Sequence, residues 1–281
     1  MNALAADVGG TSIRVALVDA SGGILERDEA ATPQDPREGV ARIASLWRRW
    51  DAAAPRGLVI AGAIRPGTGE ITQSPNLRPW EGTCPGAELG CVVHNDANGA
   101  LLGECWTGAL QGCRSALMLT LGTGVGGGLL MGGTLWEGAT GCAGEAGHLS
   151  VHPDGPPCGC GSRGCLELYA SANAVAKAAG TRDAKEASDL ARLGEPRSRG
   201  AFERAAEALG IALAGLANVL NPEVFCLGGG LSNSFDLLRP TLLRTLRERA
   251  FHLATESLRV LPARLGGDAG LVGAAWAAAH A

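Results

Sequence analysis

One plan occurs twice in this chain and limits the folds open to it: an apolar run, a glycine-rich turn, and a second apolar run. Leu4–Val8 leads into Gly9-Gly10 and Ile13–Val18 follows; Ala116–Leu121 leads into Gly122-Thr123-Gly124 and Val125–Met131 follows. Short apolar runs bounded by glycine read as strands joined by tight turns. The recurrence after residue 116 points to two related halves, each opening on the same strand–turn–strand unit.

The remaining pattern alternates. Ile24–Arg27, Leu58–Ala61, Cys91–Val93 and Val224–Leu227 read as further strands. Arg37–Trp50 has helical spacing, with Val40, Ile43, Ala44 and Trp47 on one face. Asn98–Leu110, Ala170–Ala179, Ala201–Leu220, Leu237–Ala250 (Pro240 in its first turn) and the small-residue run Ala269–Ala279 read as helices. The polar stretch Thr181–Arg199 reads as an exposed connector. Strands alternating with helices define an α/β architecture, and 281 residues suffice for one large domain or two modest lobes.

Composition excludes several classes. A net charge of −4 with no basic block argues against nucleic acid as a partner. No apolar run approaches the ~20 residues of a membrane span. The opening MNALAADVGGTSIR has neither a basic region nor a cleavable apolar stretch, so a cytoplasmic protein is expected.

Each glycine turn carries a chemical reading beside a structural one. In Asp7-Val8-Gly9-Gly10-Thr11 the glycines admit a bulky anion to the backbone, and amides plus the Thr11 hydroxyl can donate to phosphate oxygens. Asp7 would be welcome there beside Mg²⁺; the alternative is a tight hairpin capped by Thr11. The second turn, Thr120-Leu121-Gly122-Thr123-Gly124-Val125-Gly126-Gly127-Gly128, lacks the Lys-Ser/Thr of a P-loop. A strand follows it where a dinucleotide turn needs a helix, and a bulged hairpin is its alternative. Gly228-Gly229-Gly230 follows a strand and leaves room for adenine or ribose, or is a plain turn.

His94-Asn95-Asp96-Ala97-Asn98 stands at a strand end and a helix start. Asn95 and Asp96 can bind a polyol, and Asp96 can accept a hydroxyl proton; a helix N-cap is the competing role. The sharpest pattern is Gly144-Glu145-Ala146-Gly147-His148 followed by Cys158-Gly159-Cys160 and Cys165-Leu166-Glu167. His148 with Cys158, Cys160 and Cys165 makes a closed four-ligand set for structural Zn²⁺, which braces a loop and leaves no open position for water. His152 is a rival ligand. The other six of the nine cysteines are scattered and read as small hydrophobes.

In order along nearly the whole chain, DVGGTSIR, SPNLRPW, HNDANGALLGE, LTLGTGVGGG, GEAGH, CGCGSRGCLELYAS, GGGLS and GDAGLVGAAW resemble the ROK family of sugar kinases, in the hexokinase–actin superfamily. The GEAGH and CGCGSRGCLE pair resembles its zinc-containing members. The resemblance implies a two-lobed α/β fold, each lobe a mixed β-sheet flanked by helices, with ATP and sugar meeting in the cleft between lobes. It implies a small lobe over residues 1–97 completed by 269–281, and a large lobe over 98–268 with a zinc-binding loop at 148–165.

The resemblance also assigns roles. Asp7, Gly9, Gly10 and Thr11, with Thr120, Gly122, Thr123, Gly124 and Gly126, would hold the phosphates of ATP and its Mg²⁺. Gly228, Gly229 and Gly230 would lie near the adenosine. Asn76, Asn95, Asp96, Glu145, His148 and Glu167 would contact sugar hydroxyls, with Asp96 the catalytic base. His148 would place one ring nitrogen on zinc and the other toward the sugar. A homodimer is expected by the same resemblance. Glucose is the expected substrate; N-acetylmannosamine, N-acetylglucosamine and fructose are alternatives. The segment 62–70 is compressed against the family pattern, and Ser12 stands where many members have Lys. With six residues before Asp7, the DNA-binding segment of the family's repressors is not expected. A non-catalytic sugar sensor would be expected to lack Asp96 or the glycine turns, and all are present.

Overall fold

Each glycine turn joins two antiparallel strands. In the computed structural model, which describes residues 1–281, Ala3–Val8 (β1) pairs with Ser12–Val18 (β2), and Ile24–Ala31 (β3) adds to β2. Thr32 locks the first turn by donating its hydroxyl to the Gly9 carbonyl at 2.7 Å. Helix α1 (Pro36–Trp47) starts where Asp35 accepts from the Arg37 amide and Pro36 supplies a preset φ. It ends short of Trp50, whose indole N–H instead donates to Glu26 at 3.0 Å. There follow β4 (Arg56–Ile60), the small hairpin β5 (Ala63–Ile64) with β6 (Ile71–Gln73), α2 (Pro85–Leu89), β7 (Val92–Asn95) and α3 (Asp96–Thr107).

The first sheet has the order β3-β2-β1-β4-β7, with β1, β4 and β7 parallel. β1 is buried along its whole length, as a central strand covered on both faces must be. Leu4, Ala6 and Val8 pack with Ile43, Trp47 and Trp80 on one side. Ala3 and Ala5 pack with Leu271, Ala274 and Ala275 on the other.

The second half repeats the plan. Ala116–Leu121 (β8), Val125–Met131 (β9) and Thr134–Leu135 (β10) come first, then α4 (Glu167–Ala170), α5 (Ala172–Ala179), α6 (Ala184–Arg192) and α7 (Pro196–Leu220). Val224–Gly228 (β11), α8 (Phe235–Arg249), α9 (His252–Thr255) and Arg259–Pro262 (β12) complete it. The sheet order is β10-β9-β8-β11-β12, with β8, β11 and β12 parallel. Pro240 lies inside α8, beyond its first turn.

The stretch expected as an exposed connector is in large part helical. Asp183 caps α6 by accepting from the Glu186 amide, and α6 buries only Ala187, Ser188 and Ala191. A face built of such small residues gives the sequence too weak an apolar period to read. The last helix, α10 (Ala269–Ala279), packs on α3, β1 and β4. Two compact units result: Met1–Gly112 with Gly128–Ala143 and Gly267–Ala281, and Cys113–Gly127 with Gly144–Gly266. They are cut differently from the expected lobes, since α3 and residues 128–143 belong to the first. No helix is long and apolar enough to cross a membrane.

Candidate functional site

In open α/β sheets, ligands bind outside the carboxyl ends of parallel strands. In the first unit Val8, Ile60 and Asn95 stand side by side across β1, β4 and β7. The next residues therefore emerge along one edge: Gly9-Gly10 after β1, Gly62 after β4, and Asp96 after β7. Two strand spacings, about 10 Å, separate the first from the last. Asn76 comes to the same place, because a Cβ on Gly10 would lie 3.0 Å from its carbonyl oxygen. Asn76, Thr11 and Asp96 are exposed.

Helix α3 begins at Asp96, two residues before the expected Asn98, because Asn95 is the cap. Its Oδ1 accepts from the amides of Ala97 and Asn98 at 2.8 and 3.2 Å. Its Nδ2 donates to the Gly62 carbonyl at 2.9 Å and to Asp96 Oδ1 at 3.0 Å. Asn95 thus spends its amide on holding the loop after β4 and on orienting Asp96.

Asp7 is buried, and its neighbour in register across β1 and β2 is Arg14, which forms an ion pair with it. Arg14 also donates to the Gly267 carbonyl at 2.8 Å. Burial pushes the Asp7 carboxyl above its ordinary range, and Arg14 pulls it back. The approach of α10 leaves room for this carboxylate only because residue 270 is glycine: a Cβ there would lie 2.6 Å from Asp7 Oδ2. Sequence reading did not single out Arg14; its signal was the one charge in β2, whose other residues after Ser12 are apolar.

In the second unit Thr120 and Gly228 are partners across β8 and β11, so the turns after these strands meet. Gly229 has φ +78°, and a Cβ on it would lie 2.6 Å from the Leu121 backbone. Gly122 accepts from the Ala172 amide at the start of α5, at 2.8 Å. Glu167 Oε2 accepts from the Val125 amide at 2.9 Å and fills the space a Gly124 side chain would need. Thr123 is exposed and Gly126 half-buried. Gly144 and Gly147 pack against the start of β9, where Cβ atoms on Gly127 and Gly147 would lie 2.3 Å from the Gly144 carbonyl and 2.0 Å from that of Val125. That packing sets Glu145 and His148 beside the glycine turn. Partial burial raises the Glu145 carboxyl, His148 opposes this, and Glu167 adds to it.

The four expected metal ligands converge. One donor atom each from His148, Cys158, Cys160 and Cys165 lies within 4.8 Å of all the others. Cys160 and Cys165 sulfurs are 3.6 Å apart, and Cys158 sulfur is 3.8 Å from His148 Nδ1. A tetrahedral zinc with ordinary bond lengths needs about 3.8 Å between sulfurs and about 3.5 Å from sulfur to nitrogen. Donor types and spacings fit that ion. Bridges Ser150–Cys165 and Pro157–Arg163 shape the loop. His148 turns Nδ1 to the cysteines and Nε2 toward Glu145, 3.9 Å away. His152 is outside the set; its ring packs edge-on against Tyr169 with centroids 4.8 Å apart.

The ROK family model matches residues 3–281, and the chain belongs to that family. It is 34% identical to the glucokinase of Halalkalibacterium halodurans, over 96% of this chain and 92% of the relative. It is 33% identical to the N-acetylmannosamine kinase of Escherichia coli O139:H28, over 98% of this chain and 97% of that one. The crystal structure of a ROK family glucokinase from Streptomyces griseus, in complex with glucose and AMPPNP, superposes with a TM-score of 0.85 at 33% identity, covering 100% of both chains.

Proposed function

We propose that this ROK family chain is an ATP-dependent sugar kinase whose substrate is glucose, phosphorylated with Asp96 as general base. The observation that carries the reading is the shared strand edge of the first unit, where the Gly9-Gly10 turn, Asn76 and Asp96 emerge together.

Phosphoryl transfer is mostly positioning and charge stabilisation. In the first unit, the amides of Gly10 and Thr11 would donate to phosphate oxygens, the Gly9 amide being given to the Ser12 carbonyl at 3.0 Å; Asp7, which also pairs with Arg14, would supply the carboxylate for Mg²⁺, an ion that would neutralise charge on the phosphates. Asn76 holds the sugar, Asn95 is spent on the loop after β4 and on orienting Asp96 instead of on a sugar hydroxyl, and Asp96 takes the hydroxyl proton as the oxygen attacks. In the second unit, Thr120, Gly122, Thr123, Gly124 and Gly126 carry further phosphate contacts, and Gly228–Gly230 face the adenosine. Glu145, His148 and Glu167 bind sugar hydroxyls. Zinc on His148, Cys158, Cys160 and Cys165 would fix the ring of His148 and the loop that bears Glu145. The reading takes the protein to be cytoplasmic and a homodimer.

ADP release across a sugar panel tests the proposal. Glucose is expected to give the highest kcat/KM, and Asp96→Asn to lower kcat by at least about 100-fold. Near wild-type turnover in that variant would remove Asp96 from its role. N-acetylmannosamine is the second reading, supported by the 33% identity to the E. coli kinase, and the same panel decides it.

A further inference from the structure

We infer that His94 and Glu137 are positioning residues: their bond fastens loop 136–143 to the strand that delivers Asn95 and Asp96. The fastening rests on geometry; its effect on sugar binding rests on the kinase reading above. His94 Nδ1 donates to Glu137 Oε1 at 3.0 Å, and the two side chains are only 23% and 26% exposed. A charge-assisted hydrogen bond so placed is stronger than an open surface pair.

His94 lies two residues before Asp96 in the chain, within β7. Glu137 opens a closed loop, since its own carbonyl accepts from the Ala143 amide at 3.0 Å and the Trp136 amide donates to Leu129 at 2.8 Å. The far side of the loop lies on β5. Gly141 has φ +84°, and a Cβ on it would sit 1.9 Å from the Ile64 carbonyl oxygen. Asn95 in turn is tied to the Gly62 carbonyl, two residues before Ile64. Loop 136–143 therefore touches both segments that frame Asn95 and Asp96, with the Glu137 side chain on β7 and the Gly141 backbone on β5. Loss of the pair frees one of the two attachments and leaves the core untouched.

The test uses His94→Leu, His94→Asn and Glu137→Gln in the full-length protein. Asparagine places an N–H where histidine carries Nδ1, so His94→Asn keeps the bond that His94→Leu loses. Hydrogen exchange in residues 137–143 should quicken in His94→Leu and Glu137→Gln and stay slow in His94→Asn. The KM for sugar should rise about tenfold in the first two, the lower range for a lost charge-assisted bond. KM for ATP and kcat should stay within about twofold, because neither residue touches reacting atoms. Unchanged exchange in Glu137→Gln, the near-isosteric change that guards against misfolding, overturns the fastening. Equal losses in kcat and both KM values, or a His94→Asn as impaired as His94→Leu, overturn the positioning role. If the wild-type protein phosphorylates no sugar, the kinase reading fails while exchange still decides the fastening.

Discussion

Gly273→Ala should destabilise the first unit far more than a methyl group ordinarily does. Helices α10 and α3 cross backbone to backbone there: a Cβ on Gly273 would lie 1.7 Å from the Gly99 carbonyl oxygen and 3.0 Å from the Gly103 nitrogen. An ordinary carbon–oxygen contact is about 3.3 Å, so the helices must part by about 1.5 Å. No side chain can swing aside, because the obstructing atoms are main chain. A radial gap of even 1 Å forfeits up to about half of the dispersion energy along a seam. Overpacking costs about 1–3 kcal/mol when side chains can adjust; with backbone against backbone, about 3 kcal/mol or more is expected. All six tryptophans lie in the first unit, and all but Trp136, which follows β10 of the second sheet, lie away from that sheet, so their fluorescence in a urea titration reports mainly on the first. Gly215→Ala is the control. It lies exposed within α7 with nothing within 4 Å of the added carbon, and it should stabilise by about 0.5–1 kcal/mol, read by circular dichroism. A Gly273→Ala midpoint within about 0.5 kcal/mol of wild type would refute the packing argument.

Freshly purified protein should carry about one zinc per chain, the occupancy of a closed four-ligand site. Cys160→Ser should lose that zinc together with thermal stability, by elemental analysis and melting; full retention of metal would contradict the ligand set. Arg14→Leu leaves Asp7 buried without its cation, and should cost about 2 kcal/mol in urea unfolding, less than a fully buried pair because Arg14 is partly exposed. Glu195 caps α7 and accepts from the Ser198 and Arg197 amides, which lowers its pKa. Its folded value lies below its unfolded value, so its stabilisation is present above the unfolded pKa and disappears as pH falls through the folded one. Glu195→Gln should therefore flatten the fall of the urea midpoint below about pH 4.3; an unaltered slope would show that the cap does not titrate there.

What could be read from sequence was what local chemistry dictates. The two strand–turn–strand units are legible because apolar runs ending in glycine have few alternatives, and the convergence of His148 with Cys158, Cys160 and Cys165 because cysteine spacing is rarely accidental. The hidden features depend on partners distant in sequence. Arg14 matters only because hairpin register sets it opposite Asp7. The start of α3 was read late because His94-Asn95-Asp96 offers two caps, and the Gly62 carbonyl, 33 residues away, decides for Asn95. Helix α6 escaped because it buries alanine and serine. Gly273 and Gly270 looked like ordinary residues of a small-residue helix until α3 and Asp7 were placed against them.

The duplicated topology also explains why the cluster of His148, Cys158, Cys160 and Cys165 is where it is. Both sheets run three antiparallel strands followed by two parallel ones, with a glycine turn between the first two strands of each. In the first copy β3 ends at Ala31 and α1 begins at Pro36. In the second copy β10 ends at Leu135 and α4 does not begin until Glu167, and only the short turn Ala146–His148 interrupts the path. A loop of that length inside a compact domain carries little core of its own, and few such loops persist without a function or a brace. Here it carries Glu145 and His148 beside the glycine turn, and the proposed sugar contacts of these two residues would need its conformation fixed. Zinc held by His148, Cys158, Cys160 and Cys165, from its middle and its end, would replace the apolar packing that the segment lacks. Removing them should loosen this segment first and leave the β1–β7 sheet intact. A Cys160→Ser protein whose first-unit tryptophan signal melted before residues 144–166 became exchange-labile would break that link between topology and metal.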